Sequence, residues 1–356
     1  MRISLKLAAA ILAAVLVPAC ASTTMTKTTS VPSSTAPSGA RTKTPALAAT
    51  RPKGTAYVIS DNLETVTPID LAAGRPGNPI RVVGDPVEIA ITPDGTTAYV
   101  TSDTEDPGTV TPIDLAAGRR GTPIYAGGTP DAIAITPDGT TAYVTNFEAS
   151  GTVTPIDLVT ATAGTPIPVG KFPGAIAIAP NGKTAYVANA YSNSVTPINL
   201  ATATAGTPIP VGQKPGAIVI TPNGKTAYVA NYKSNSVTPI NLATGQPGTP
   251  IPVGIGIYGD TSEAMAITPD GKTAYVINFG TGAVTPIDLA TGQPGTPIPV
   301  ENGPGVNAMA ITPDGTTAYV TGGVYPGTVT PIDLATGKPG TPIPVGKFAD
   351  AIAISP

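Results

Sequence analysis

Short runs rich in Ala, Val, Ile and Thr recur along the chain, each bounded by turn-forming residues. In the copy at 132–168 the runs read A-I-A-I, T-A-Y-V, T-V-T-P-I-D-L and T-P-I-P. Runs of this length and composition predict β-strands, here called strands a, b, c and d in chain order. Neighbouring side chains of a strand point to opposite faces, so A-I-A-I indicates a sheet packed on both faces. The chain is therefore predicted to be all-β.

The four-strand unit occurs seven times, and each copy is marked by the tyrosine of strand b. These residues are Tyr57, Tyr99, Tyr143, Tyr186, Tyr228, Tyr275 and Tyr319, separated by 42, 44, 43, 42, 47 and 44 residues. A period of about 40–45 residues with four strands per unit is typical of a β-propeller. A sandwich would leave polar residues on one face of strand a, and a β-solenoid fits the P-D-G hairpin turns poorly. We therefore predict a seven-bladed β-propeller with four-stranded blades.

The ends of the repeat region predict how the ring closes. The chain starts on strand b at 55–59 and ends on strand a at 351–356. We expect the C-terminal strand to join the N-terminal strands, so that the seventh blade is built from both ends. Strand c carries a Pro in every copy, which removes a backbone donor, so strand d is expected to pair only briefly.

The segment Tyr143-Val144-Thr145-Asn146 reads Y-V-T-N and ends the longer motif A-I-A-I-T-P-D-G-T-T-A-Y-V-T-N. This motif resembles the YVTN-type β-propeller repeat of surface-layer-like and YncE-like proteins. The resemblance covers residues 54–356 and implies the propeller fold. It implies no single activity, because members of that family bind diverse ligands.

Composition narrows the chemistry. The chain of 356 residues has no His, no Trp and a single Cys. This composition removes the usual zinc, copper and haem ligand sets and also Ser-His or Cys-His catalysis. Residues 1–53 contain basic but no acidic side chains, so the repeat region is strongly acidic although the net charge is −3. A duplex nucleic acid partner is therefore not expected.

The N-terminal segment is predicted to direct export. Residues 1–6 carry two positive charges, and the apolar run at 7–17 is too short to span a bilayer, so 1–20 read as a signal peptide. The sequence V-P-A-C ending at Cys20 resembles a bacterial lipoprotein signal with Cys20 as the lipidated residue. Ala19-Cys20-Ala21 also fits an A-x-A cleavage site, so free secretion stays open. We expect an extracytoplasmic protein, lipid-anchored at the bacterial cell surface or secreted.

The predicted domain organisation follows from these boundaries. Residues 1–20 form the signal peptide with a possible lipobox, and 21–53, rich in Ser, Thr and Pro, form a disordered linker. Residues 54–356 form the propeller.

Most repeated carboxylates are predicted to be structural, because Asp and Asn interchange at their positions and charge is therefore not required. The turn between strands a and b has Asp at 94, 138, 270 and 314 but Asn at 181 and 223. The end of strand c has Asp at 70, 114, 157, 288 and 333 but Asn at 199 and 241.

The two ends of the blades differ. The a–b and c–d turns are alike in all copies, and we call their side the uniform face. The b–c and d–a loops, such as 146–151 and 254–263, vary, and we call their side the variable face. Binding usually occurs on variable loops of a rigid scaffold. The variable face holds thirteen acidic residues against four lysines, which favours a basic or cation-bearing partner.

One position at the start of each strand a is expected to ring the mouth of the central channel. Its residues are Glu88, Asp131, Gly174, Gly216, Glu263, Asn307 and Asp350. The four carboxylates, with Asn307, are candidate ligands for calcium or another hard cation, and no further cofactor is predicted. The alternative is that they are solvated loop ends that keep the face soluble.

Loop aromatics on the variable face are candidates for stacking on a sugar or peptide. They are Phe147, Tyr191, Tyr232, Phe279 and Tyr325. Partial burial against neighbouring loops is the alternative for each of them.

Our first functional hypothesis is a non-enzymatic binding or scaffold propeller that recognises a protein, glycan or cell-envelope component through its variable face. It would be monomeric and would meet the membrane only through its lipid anchor. Two alternatives stay open. One is a hydrolase or lactonase-like enzyme that uses carboxylates or a bound metal. The other is a structural surface-layer-like component.

Overall fold

A computed structural model of the chain describes residues 54–60, 63–103, 107–253, 265–300, 305–323 and 326–356. The signal peptide, Cys20 and the linker lie outside the described residues and stay predictions. Within those ranges the strands form seven antiparallel sheets, as expected for seven blades. No helix in the described part of the chain is long and apolar enough to cross a membrane.

Blades are numbered 1 to 7 in chain order of their inner strand, strand a. Strands a are Pro86–Ile91, Pro130–Ile135, Pro173–Ile178, Pro215–Ile220, Met265–Ile267, Val306–Ile311 and Ile352–Ile354. Strands b are Thr97–Ser102, Thr141–Asn146, Thr184–Asn189, Thr226–Asn231, Thr273–Asn278, Thr317–Gly322 and Thr55–Ser60. Strands c are Thr109–Asp114, Thr152–Asp157, Ser194–Asn199, Ser236–Asn241, Ala283–Asp288, Gly327–Asp333 and Thr65–Asp70.

Strand d is split into two short segments that both pair with strand c. The first segments are Arg119–Arg120, Thr162–Ala163, Thr204–Ala205, Gln246–Pro247, Gln293–Pro294, Lys338–Pro339 and Arg75–Pro76. The second are Ile124–Tyr125, Ile167–Pro168, Ile209–Pro210, Ile251–Pro252, Ile298–Pro299, Ile343–Gly346 and Ile80–Arg81.

The strand c proline explains this split. In blade 1 the carbonyl of Pro112 accepts the Gly121 N–H at 2.7 Å, so the backbone of Pro112 faces strand d. The missing N–H of Pro112 therefore faces the same side, where strand d is interrupted. The predicted brief pairing of strand d is confirmed.

The ring closes as predicted. The C-terminal strand Ile352–Ile354 pairs with the N-terminal strand Thr55–Ser60, with Ala56 opposite Ile354. It also contacts the inner strands of blades 6 and 1, and these contacts complete a closed ring of inner strands. Blade 7 is therefore assembled from both ends of the repeat region.

The hydrophobic core lies between neighbouring blades. Tyr99 of blade 1 packs with Ile133, Val144 and Ile156 of blade 2, and equivalent layers recur around the ring. Every tyrosine of this strand b position is at most 8% exposed. Both faces of each sheet are buried, which is why A-I-A-I alternates two apolar sizes instead of apolar with polar residues.

The a–b turns confirm that their carboxylates are structural. Asp94 Oδ1 accepts hydrogen bonds from the Thr92 hydroxyl at 2.6 Å and from the Thr96 N–H at 3.0 Å. In the same turn of blade 4, Asn223 Oδ1 accepts from Thr221 and Lys225. An amide oxygen and a carboxylate oxygen therefore accept equivalent hydrogen bonds in this turn.

Candidate functional site

The channel-mouth residues lie in a β-bulge at the start of each described inner strand of blades 1 to 4 and 6. In blade 1, Pro86 pairs with Ser102 and Ile89 with Val100, so strand a holds one residue more than strand b. The same shift occurs between Pro130 and Ile133 in blade 2. Bulges re-aim side chains and are common beside active sites. The mouth residues are thus lifted out of the regular side-chain alternation.

A buried threonine hydroxyl of strand b holds the bulge in blades 1, 2 and 6. The Thr101 hydroxyl accepts the Glu88 N–H at 3.0 Å and donates to the carbonyl of Asp131 at 2.7 Å. Thr145 accepts the Ala132 N–H at 2.9 Å, and Thr321 accepts the Ala308 N–H at 2.9 Å. Thr101, Thr145 and Thr321 are fully buried. These hydroxyls replace ladder partners that the bulge removes.

Blades 3 and 4 have glycine at the mouth and alanine in place of the threonine. There Gly174 is followed by Ala175, which pairs directly with Ala188, so the ladder resumes one residue earlier. Blade 4 repeats this arrangement with Ala217 opposite Ala230. The role of these threonines was not predicted, although the repeats show Thr at this strand b position in blades 1, 2 and 6 and Ala or Ile in the others.

The polar mouth residues form a continuous sector over blades 6, 7, 1 and 2. Asn307 Nδ2 donates to the carbonyl of Ala349 at 3.0 Å, which joins blade 6 to blade 7. Asp350 is 8% exposed, and its N–H donates to the carbonyl of Ile59 at 3.0 Å. Glu88 and Asp131 are half-buried and are joined through Thr101, as described above. By register, however, Glu88 corresponds to Ala132 and Ala308, because the N–H groups of these three residues donate to the equivalent strand b threonines. The prediction that Glu88 shares the position of Asp131 is therefore wrong, and Val87 holds that position in blade 1.

The proposed cation site is only partly described. Glu263, the fourth candidate carboxylate, lies outside the described residues, as does Tyr325. Within the described ranges, no three acidic, His or Cys side chains come together as a metal-ligand group. Calcium binding at the mouth therefore stays a prediction.

The glycine sector over blades 3 and 4 is bordered by aromatic rings. A methyl group added at Gly174 would lie 3.4 Å from the Phe147 ring and 3.7 Å from Asp131 Oδ2. A methyl group added at Gly216 would clash with Cε2 of Tyr232, so the Tyr232 ring occupies that space. Gly174 therefore leaves room beside Asp131, whereas Gly216 is covered.

The predicted loop aromatics differ in exposure. Tyr232 is 7% exposed, so its ring is buried against its neighbours and is not available for stacking on a ligand. Tyr191 is 61% exposed, and its ring centroid lies 4.6 Å from that of Phe172, which in turn lies 5.3 Å from that of Phe147. Phe172, in the d–a loop that precedes strand a of blade 3, was not among the candidates. It connects the exposed Tyr191 to Phe147 at the mouth.

The uniform face holds an open groove between blades 7 and 1, with a volume of about 970 Å³. Its lining includes Tyr57, Tyr99, Arg119 and Arg120. This groove lies at the opposite end of the strands from the mouth, so it is separate from the candidate site.

Seven antiparallel sheets whose inner strands form a closed ring define the class of this protein as a seven-bladed β-propeller. A model of the family described as "Lactonase, 7-bladed beta-propeller" matches residues 126–249, about a third of the chain. The matched segment includes Asp131, Phe147 and the glycine sector. The more specific likeness to YVTN-type repeats stays a prediction.

Solved structures of low sequence identity share the fold. A functionally unknown protein from Desulfotomaculum acetoxidans is 21% identical with a TM-score of 0.72, and the alignment covers 85% of this chain and 99% of that one. The periplasmic gluconolactonase of Pseudomonas aeruginosa is 18% identical with a TM-score of 0.70 and the same coverage. Kuenenia stuttgartiensis hydrazine synthase is 22% identical with a TM-score of 0.67, over 82% of this chain and 92% of that one. Among curated proteins, none matches this chain significantly.

Proposed function

We propose that the protein hydrolyses a lactone at the variable-face mouth of its channel. The observation that carries the proposal is the placement of Asp131 in a bulge, half-buried beside Gly174, where the absent side chain leaves room for a methyl group between Asp131 and the Phe147 ring. Asp131 also falls within the segment that matches the lactonase family model. The comparisons support this hydrolase alternative better than the binding or scaffold role that we predicted first.

The chemistry follows from the residues available. The chain has no histidine, and a carboxylate such as Asp131 can act as the general base. Asp131 takes a proton from water as the water oxygen attacks the lactone carbonyl carbon. The ring C–O bond then breaks, and the leaving alkoxide takes the proton back from the Asp131 carboxyl. One water is consumed and the product is an open-chain hydroxy acid.

The surroundings of Asp131 fit this role. Its backbone carbonyl is fixed by the Thr101 hydroxyl at 2.7 Å, which limits movement of the strand that carries it. Phe147 borders the space at Gly174 and offers an apolar surface for the substrate ring. Glu88 lies on the neighbouring blade 1 and adds negative charge to this part of the variable face.

The test is turnover of a panel of five- and six-membered lactones, followed by ring opening at constant pH. Asp131→Asn keeps the size of the side chain and removes the base, so we expect kcat/KM to fall about 100-fold or more. Asp85→Asn is the matched control, because Asp85 is an exposed carboxylate on the same face and in the d–a loop that precedes blade 1. Full activity in the Asp131 variant, or no lactone opened faster than in buffer, would refute the proposal.

A further inference from the structure

Blades 3 and 4 differ in charge from the rest of the propeller. Residues 158–259 contain five lysines and no Asp, Glu or Arg, although the remaining repeats are strongly acidic. The missing acids are not explained by the fold. Asn199 Oδ1 accepts the Ala201 and Thr202 N–H groups just as Asp157 Oδ1 accepts those of Val159 and Thr160. The structural role of the carboxylate is kept in these blades while its charge is removed.

Three of the five lysines lie on the variable face, in loops that are joined by hydrogen bonds. The Lys171 N–H donates to the Ser192 hydroxyl at 2.8 Å, and the Lys214 N–H donates to Asn193 Oδ1 at 2.9 Å. The Lys233 N–H donates to the carbonyl of Gln213 at 3.2 Å. These contacts hold the lysine backbones in neighbouring loops of two adjacent blades. We call Lys171 and Lys233 the lysine patch.

The acidic side chains nearest to the lysine patch, Glu148 and Asp131, belong to blade 2. Glu148 is in the adjoining loop of blade 2, but its carboxylate covers Gly128 of its own blade. No described carboxylate lies within ion-pair distance of Lys171 or Lys233. The variable face is thus acidic over blades 7, 1 and 2 and basic over blades 3 and 4.

An exposed aromatic surface lies within the lysine patch. The Tyr191 N–H donates to the carbonyl of Lys171 at 3.3 Å, so the two residues are direct neighbours. The Tyr191 ring is stacked at a tilt against Phe172 and remains mostly exposed. A large aromatic ring that stays exposed beside cationic side chains suits a ligand with both a flat face and negative charge.

We infer that blades 3 and 4 carry a binding subsite for an acidic saccharide, beside the mouth and independent of the lactone chemistry proposed above. The C–H face of a sugar ring stacks on Tyr191, and the carboxylates of uronic acid units are held by the lysine patch. A single-stranded nucleic acid fits less well. The patch has no Arg and one exposed ring, and a longer polyanion would run into the carboxylates of Glu88 and Asp131.

Calorimetric titration of the whole protein with trigalacturonate tests the inference, with cellotriose as the uncharged probe. We expect binding of trigalacturonate that weakens as salt is raised, and no binding of cellotriose at equal concentration. Lys171→Gln with Lys233→Gln should weaken binding about tenfold, and Tyr191→Ser about fivefold. All three side chains are exposed, so the variants should fold.

Each variant has a matched control on the same protein. Lys183→Gln with Lys225→Gln removes the same charge from the same two blades, but in the a–b turns of the uniform face. Tyr125→Ser removes another exposed tyrosine, 68% exposed, from the outer edge of blade 1. Both controls should bind as the wild type does, and so should Asp131→Asn, which separates this site from the lactone chemistry.

Three results would overturn the inference. The first is no measurable binding of trigalacturonate, and the second is an equal loss of trigalacturonate affinity in the patch variants and in their controls. The third is tighter binding of oligothymidylate, the single-stranded nucleic acid probe, than of trigalacturonate. The first would leave the proposed lactonase untouched, because lactone turnover is measured on a different substrate.

Discussion

The contribution of the Thr101 hydroxyl to stability can be measured by replacing Thr101 with Val and comparing the result with the same replacement at Thr111 in blade 1. Thr101→Val keeps the volume of the side chain and removes two hydrogen bonds, from the Glu88 N–H and to the carbonyl of Asp131. Each bond contributes about 1 kcal/mol net, and the two groups left without it are only half-buried, so we expect a loss of about 2 kcal/mol. For a propeller of this size that loss lowers Tm by about 4 °C.

Thr111→Val is the control for the exchange of hydroxyl for methyl. Thr111 is fully buried in strand c of blade 1, and its hydroxyl has no hydrogen-bond partner among the described groups. Its replacement should leave Tm within about 1 °C of the wild type or raise it. Both variants are measured by thermal and urea unfolding. Equal stability of the two variants would refute the assignment of the Thr101 hydroxyl as the support of the bulge.

Three further outcomes are expected. Gly216→Ala should displace the Tyr232 ring and lower Tm, whereas Gly174→Ala, with 3.4 Å to its nearest neighbour, should keep Tm and lower lactone turnover by narrowing the space beside Asp131. Deletion of residues 351–356 removes the inner strand of blade 7 and with it the buried Ile352. The free energy of unfolding should therefore fall by at least ~3 kcal/mol, and the urea midpoint should fall with it. The Thr92 hydroxyl and the Thr96 N–H hold the pKa of Asp94 below its usual 3.8. The contribution of ionised Asp94 to the stability of the fold is therefore present above pH 3.8 and is lost as pH falls through the lower pKa of the folded state. The pKa values of Asp138, Asp270 and Asp314 are lowered in the same way, and replacing all four carboxylates by Asn should flatten the loss of Tm on acidification.

The fold could be predicted from the sequence because each repeat carries its own turn and strand chemistry. The P-D-G turns specify antiparallel pairing, and the a-strand alternation requires a sheet buried on both faces. Closure also followed from the sequence, since strand b at the start of the repeats lacked an inner neighbour and strand a at the end lacked an outer one. Turn type, strand alternation and strand pairing each depend on one segment or on two neighbouring segments, and each pattern recurs in the seven repeats.

The candidate site was less predictable because it depends on single-residue offsets between the repeats. The b–c loops of blades 3 and 4 read N-A-Y-S-N-S and N-Y-K-S-N-S, so their tyrosines differ by one position. That offset sends Tyr232 inward over Gly216 and leaves Tyr191 outward. Loop composition alone does not distinguish the two. The structural role of Phe172 was hidden for a different reason, because its backbone has a positive φ of 51° that its residue type does not suggest.

The two halves of the variable face have diverged in linked ways, and the link bears on both proposals. Blades 1 and 2 combine a carboxylate in the bulge with a supporting threonine, whereas blades 3 and 4 combine glycine, alanine and a lysine-bearing loop. Packing between blades does not require this division, since the core layers are alike around the ring. The acidic half therefore offers a base for a neutral lactone, and the basic half offers cationic side chains for a separate acidic saccharide. The same arrangement would repel the carboxylate that hydrolysis creates at Asp131, which favours release of the opened product from the acidic half.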